Sequence, residues 1–168
     1  MKYKSLPPLE ELREYLDYNP DTGILTWKRQ KGLAKKGQEA GTVNTEGYRI
    51  ISFKFKKYRC NRIAYYMHYG VDPLAIDVDH KNGNKLDQSL TNLRLATNQE
   101  NSFNQGLSKN NTSGVKGVSW NNRDQRWVAM IGYNRKNINL GYYINKEDAI
   151  QARREAEIKY YGEFRRQD

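Results

Sequence analysis

The sequence predicts an α+β fold built in two successive parts, and three observations carry that reading. Most apolar residues fall in short runs that alternate with polar ones, the period of a strand with one buried face. A few other segments space their apolar residues as helices do. Between them lies QGLSKNNTSG (105–114), polar, free of acid and without periodicity, which reads as a linker. The expected first part is therefore residues 1–104, the linker 105–113, and the second part 114–164.

Composition narrows the partners. The 168 residues carry 29 Lys and Arg against 19 Asp and Glu, a net charge of +10. Each part holds half of that excess, as expected if both touch one polyanion. Only 37% of the chain is hydrophobic, so 13 Tyr and 3 Trp must supply much of the buried area and could also face bases. The single cysteine, Cys60, excludes an intrachain disulfide and a Cys-based zinc site and fits a reducing compartment. No apolar run is long enough to span a bilayer, and the N-terminus lacks a signal-peptide core, so a cytoplasmic protein without membrane contact is expected.

The elements follow in order. PPLEELREYLDYN reads as a short amphipathic helix, with Leu9, Leu12 and Leu16 on one stripe. NPDTG marks a turn and ILTWK a strand, followed by a loop rich in Gly and Lys. GYRIISFKFKKYRC gives two strands joined by a tight turn. This stretch contains no acid and, with its flanks, six bases: Arg49, Lys54, Lys56, Lys57, Arg59 and Arg62. NRIAYYMHYG is a helix capped by Asn61 and stopped by Gly70. Residues 75–103 compress a strand (Asp77 to His80), a turn of the hairpin kind at Asn82-Gly83-Asn84, an extended segment anchored by Leu90, Leu93 and Leu95, and a helix over 98–104 capped by Thr97. After the linker, VKGVSW, RWVAMIGY and KNINLGYY are three strands. NKEDAIQARREAEIKYYG is a helix with acids in its first turn, where the dipole favours them.

The chemistry concentrates at Asp79 and His80, with Asn92 and Asn101 downstream. Hydrolysis of a phosphodiester needs an activated water, charge neutralisation and help for the leaving oxygen. A hard cation on oxygen ligands serves the last two, and a neutral imidazole takes the proton near neutral pH. The bland reading makes Asp, Asn and Gly turn formers, which accounts for Asn82, Gly83, Asn84 and Asp87 but leaves the Asp-His pair open. His68 reads as a surface or structural histidine.

DHKNGNKLDQSLTNLRLATNQEN resembles the HNH endonuclease motif, the ββα-metal finger of phage and intron-encoded homing endonucleases. The Asp-His pair, the Asn-Leu-Arg triplet and an Asn nine residues beyond Asn92 carry the match. The resemblance implies Asp79 and Asn101 as ligands of one Mg²⁺ or Mn²⁺, His80 as general base and Asn92 as the structural Asn. Many relatives place His where Asn101 stands, which makes zinc the less expected metal. Asn98 and Asn104 are rivals for that ligand role.

SGVKGVSWNNRDQRWVAMIGYNRKNINLGYYINKEDAIQARREAE resembles an AP2 DNA-binding domain, in which a three-stranded antiparallel sheet packed on one helix lies in the major groove. The resemblance places Lys116, Ser119, Trp120, Met130, Gly132, Asn137 and Asn139 at contact positions. Arg123, Arg126, Arg135 and Lys136 are expected on phosphates. Trp127 and Ile131 are expected in the core.

The resulting expectation is a homing-type DNA endonuclease that nicks one strand of double-stranded DNA per monomer. It would act as a monomer or transient dimer, use no small-molecule substrate, and work in a bacterial cytoplasm from a phage or mobile-element gene. The alternative is a transcription-factor-like DNA-binding protein with an inactive motif. An RNA-binding protein is a third reading.

Overall fold

The computed structural model describes residues 5–166. The chain divides into two compact units, one ending at Asn98 and the other beginning at Gln99. The helix expected with the first part therefore packs with the second.

The first unit opens with α1 (Leu9–Tyr15), which stops one residue short of the last leucine of its stripe. Leu16 is extended and starts β1 (Leu16–Tyr18), paired antiparallel with β2 (Leu25–Trp27). Helix and strand both bury Leu16, so the apolar stripe could not tell them apart; pairing with Trp27 decides it. A second sheet runs β3 (Thr42–Val43), β4 (Arg49–Phe53), β5 (Lys56–Arg59), with the expected tight turn at Lys54 and Phe55. α2 (Cys60–Tyr69) follows at once and ends on Gly70 in the left-handed conformation, as predicted.

Asn61 is not the cap. It is buried in the first turn, and its Nδ2 donates to the Val78 carbonyl at 2.6 Å, tying α2 to the next strand. That strand, β6 (Asp77–His80), pairs antiparallel with β7 (Leu93–Ala96) in unbroken register, Asp79 opposite Arg94 and His80 opposite Leu93. The connection is the whole segment 81–92 rather than a hairpin turn at Asn82-Gly83-Asn84. The core gathers Leu12, Leu16, Leu25, Trp27, Ile51, Phe53, Ile63, Val78 and Leu93 from α1, β1, β2, β4, α2, β6 and β7. Cys60 lies in it, and burial pushes its thiol up to about 12, so it is an apolar filler rather than a nucleophile.

In the second unit α3 (Asn98–Phe103) is followed by β8 (Val118–Asn121), β9 (Arg126–Tyr133) and β10 (Lys136–Tyr143), with β9 central in an antiparallel sheet. α4 (Lys146–Tyr161) packs on one face of that sheet. Ala129, Val118 and Ala149 form one core patch; Ile131, Ala156, Tyr161 and Phe103 form another. Phe103 lies flat on Tyr161, ring centres 3.8 Å apart, so α3 belongs to this core. Gly117, at φ +75°, lets the backbone cross between Met130 and the buried Arg153: a Cβ there would fall 2.3 Å from the Met130 carbonyl oxygen.

Candidate active site

Asp79 and His80 end β6, where strand pairing fixes both backbones and burial fixes both side chains. Asp79 faces Arg94 across the ladder, and Arg94 donates to Asp79 Oδ2 from Nε at 3.0 Å and Nη2 at 2.9 Å. This ion pair is nearly enclosed, side chains 10% and 8% exposed, so it resists screening.

His80 is 4% exposed. Its Nε2 lies 2.9 Å from Gln88 Oε1. Gln88 cannot present its amide nitrogen there, because that nitrogen donates to the Lys85 carbonyl at 2.9 Å. The neutral ring therefore carries its proton on Nε2 and its lone pair on Nδ1. Burial lowers the pKa of His80 and outweighs the hydrogen bond to Gln88 and the field of Asp79, while Lys85 adds to the lowering. The ring is thus kept neutral and basic around pH 7.

The loop that carries Gln88 is fastened from three sides. Asn92 accepts from the Asn82 backbone N–H at 2.9 Å and donates to the Asp87 carbonyl at 2.9 Å, closing segment 81–92 across its base. Asp87 holds the middle through Asn82 Nδ2 and the Ser89 N–H and hydroxyl. Burial works against its ionised form, but these hydrogen bonds prevail and its pKa is lowered. From outside the loop, the Tyr18 hydroxyl donates to the Gln88 carbonyl at 2.7 Å, and burial pushes that phenol up to about 12. The NPDTG turn backs the same residues: Leu90 N–H donates to Pro20 O at 2.8 Å, and a Cβ on Gly23 would lie 2.2 Å from Ser89 N.

A cationic rim lies beside the imidazole. The Tyr48 ring centre is 6.2 Å from that of His80, and Tyr48 carries Arg59 at 4.0 Å and Lys85 at 4.6 Å over its ring. Together these groups make a buried neutral base beside a carboxylate and two cations, a set suited to water activation next to a phosphate.

Residues 58–103 match the HNH endonuclease family model. Protein 3.8 of Escherichia phage T7 is 44% identical over 62 residues, 37% of this chain and 51% of its own length. An uncharacterised HNH endonuclease of Acanthamoeba polyphaga mimivirus is 42% identical over 73 residues, 43% of this chain and 38% of its own length. The chain thus spans about half or less of the length of these curated relatives. A solved structure of DNA binding and cleavage by the HNH homing endonuclease I-HmuI superposes with a TM-score of 0.42 at 21% identity, covering 60% of this chain and 56% of that one.

Within residues 58–103, the residues missed by sequence reading are Gln88, Arg94 and Lys85. Arg94 stood in the quoted Asn-Leu-Arg triplet, but its role depends on strand register. Gln88 sits in a loop where no periodicity points to the histidine. Asn92 braces the loop, and Gln88 is the side chain that meets His80 Nε2. Asn101 lies half-buried on α3 in the second unit. Among the described residues no three His, Cys, Asp or Glu converge. The Asp79 carboxylate on β6 is a hard oxygen donor of the kind that holds Mg²⁺ or Mn²⁺, with water and substrate phosphate completing the shell.

The expected phosphate contacts divide sharply. Lys56 and Lys57 are exposed. Lys54 is exposed and paired with Glu11, Arg49 pairs with Glu39 at 3.1 Å, and Arg59 with Glu46 at 2.8 Å. Arg62 is a correction: it is 4% exposed and donates to the Ile76 and Leu74 carbonyls at 2.8 Å, so it ties α2 to the chain before β6. In the second unit Arg123, Arg126, Arg135 and Lys136 are exposed. Ser119, Met130, Gly132, Asn137 and Asn139 share the sheet face opposite α4: Ser119 opposes Val128, Asn137 opposes Gly132 and Asn139 opposes Met130. Two of the expected contact residues lie off that face, Trp120 still 41% exposed. Trp120 opposes Trp127 on the helix side, ring centres 5.3 Å apart, and Lys116 spends its ammonium on the Ser102 and Gln105 carbonyls, its pKa lowered by burial.

Proposed function

We propose that the chain is a metal-dependent DNA endonuclease of the homing type, in which His80 is the general base. The observation that carries this reading is His80 itself. It is buried, neutral and hydrogen-bonded through Nε2, so that Nδ1 holds the basic lone pair inside an HNH domain. Gln88 fixes the ring and its tautomer, Lys85 and Arg59 attract the phosphodiester, and Asn92 keeps the loop rigid around them. A divalent cation, Mg²⁺ or Mn²⁺, supplies charge neutralisation at the phosphoryl and leaving oxygens when bound. Asp79 is the ligand for it on β6. Asn101, the second ligand implied by the resemblance, is tested by substitution with Ala.

Duplex DNA is the proposed substrate, and the exposed cations of both units support it. The helix-free face of the second unit, with Ser119, Asn137 and Asn139 aligned, is proposed to read base edges in the major groove. One site per chain means one nicked strand per monomer, and relatives in a phage and a virus favour a mobile or phage gene. The test is cleavage of supercoiled plasmid by the wild type and by His80→Ala, with Mg²⁺, with Mn²⁺ and with EDTA. The expected result is metal-dependent open circle, lost in the variant at nearly unchanged DNA affinity. Cleavage that persists in His80→Ala removes the general-base role. No cleavage by the wild type leaves a DNA-binding protein.

A further inference from the structure

Two hairpin tips of the first unit carry large apolar side chains that nothing buries. Lys54 and Phe55 join β4 to β5 at φ +46° and +60°. Such positions favour Asn and Gly, so a Phe there is both strained and wetted. The second tip is Gly32-Leu33, closed by reciprocal backbone bonds between Lys31 and Ala34 at 3.0 and 3.1 Å. Phe55 and Leu33 are both fully exposed. The tips are neighbours: Lys31 Nζ donates to the Ser52 carbonyl at 2.8 Å and lies 4.1 Å from the Phe53 ring centre, both on β4 just before the Phe55 turn. Lys35, Lys36, Lys54, Lys56 and Lys57 flank them in sequence. A lone exposed hydrophobe is ordinary; two adjacent ones on short turns amid lysines are not.

We propose that Phe55, with Leu33 beside it, is a wedge that enters duplex DNA and unstacks a base step away from the cleaved bond. Apolar side chains slip between base steps when cations hold the neighbouring phosphates, and an aromatic face stacks on any base. Duplex DNA is chosen over other anionic surfaces because the same unit carries the HNH site, so the inference rests on the nuclease reading. The distance follows from β4. It leads from Tyr48, beside His80, to the Phe55 turn, a path of about 20 Å at strand rise. That length spans about six base pairs.

The experiment uses full-length protein bearing His80→Ala, which keeps DNA intact, with and without Phe55→Asn. Asn suits the left-handed turn, so thermal stability is expected to stay level or rise. Permanganate reactivity of a bound fragment is expected to show a hyperreactive thymine about six base pairs from the mapped nick. In Phe55→Asn the thymine falls silent and affinity drops about tenfold. Equal reactivity in both proteins, or none in either, overturns the wedge. So does Phe55-dependent binding to anionic lipid vesicles with DNA affinity unchanged. Failure of the nuclease reading shows separately, as absence of nicking by the wild type, because the Phe55-dependent reactivity is read without cleavage and only its distance needs the mapped nick.

Discussion

Arg94 sits at the balance point of the site. It neutralises Asp79, the carboxylate proposed for the metal, in a place where an unpaired charge is expensive. Arg94→Leu should therefore destabilise the metal-free protein by about 3 kcal/mol. Mg²⁺ should restore more stability to that variant than to the wild type, as read by thermal unfolding with and without the ion. His80 gives a second expectation, in pH. Its folded pKa lies below its unfolded value, so between the two the unfolded chain binds more protons and stability rises with pH. The window lies just below about pH 6.5, and unfolding midpoints followed through it should flatten in His80→Ala. Activity should rise with pH through the same lowered pKa.

At the scale of elements, the loop 81–92 is held by parts far away in sequence. The NPDTG turn supplies a carbonyl to Leu90 and a missing Cβ at Gly23. Gly23→Ala meets both a positive φ of 73° and backbone atoms of Gln88 and Ser89, so the loop must move. The expected outcome is a fall in kcat of about tenfold or more with little change in DNA affinity, since about 1 Å of misplacement at a catalytic group suffices. Single-turnover nicking beside a binding assay separates the two. Asn92→Ala should cost about 2 kcal/mol, because the Asn82 amide and the Asp87 carbonyl each lose a partner. Denaturant titration reads it directly.

For the whole molecule, the division at Asn98 and Gln99 matters most. α3 is six residues long, too short to persist without tertiary support, and that support is Phe103 against Tyr161 and Tyr133. Ending the chain at residue 104 should leave β6, β7 and their core protected from hydrogen exchange while α3 loses protection. Nicking should then fall well below that of the full chain at saturating DNA. Undiminished nicking by the fragment would show that α3 needs no second unit and that Asn101 is not required.

Much of this was legible in residue order. Alternation located eight of the strands' segments or their cores, glycine stopped α2, and a motif of Asp, His and Asn marked the candidate site, because local sterics and hydrogen-bonding capacity are properties of short stretches. What tertiary structure decided were choices between partners. Leu16 joined a strand once Trp27 offered a ladder, Asn61 left its cap for the Val78 carbonyl, and Arg62 and Lys116 turned inward to backbone carbonyls. Gln88 became the histidine's partner only when a loop closed over it. A side chain's chemistry is written in the sequence, but the group it meets depends on segments tens of residues away, and only folding brings those together.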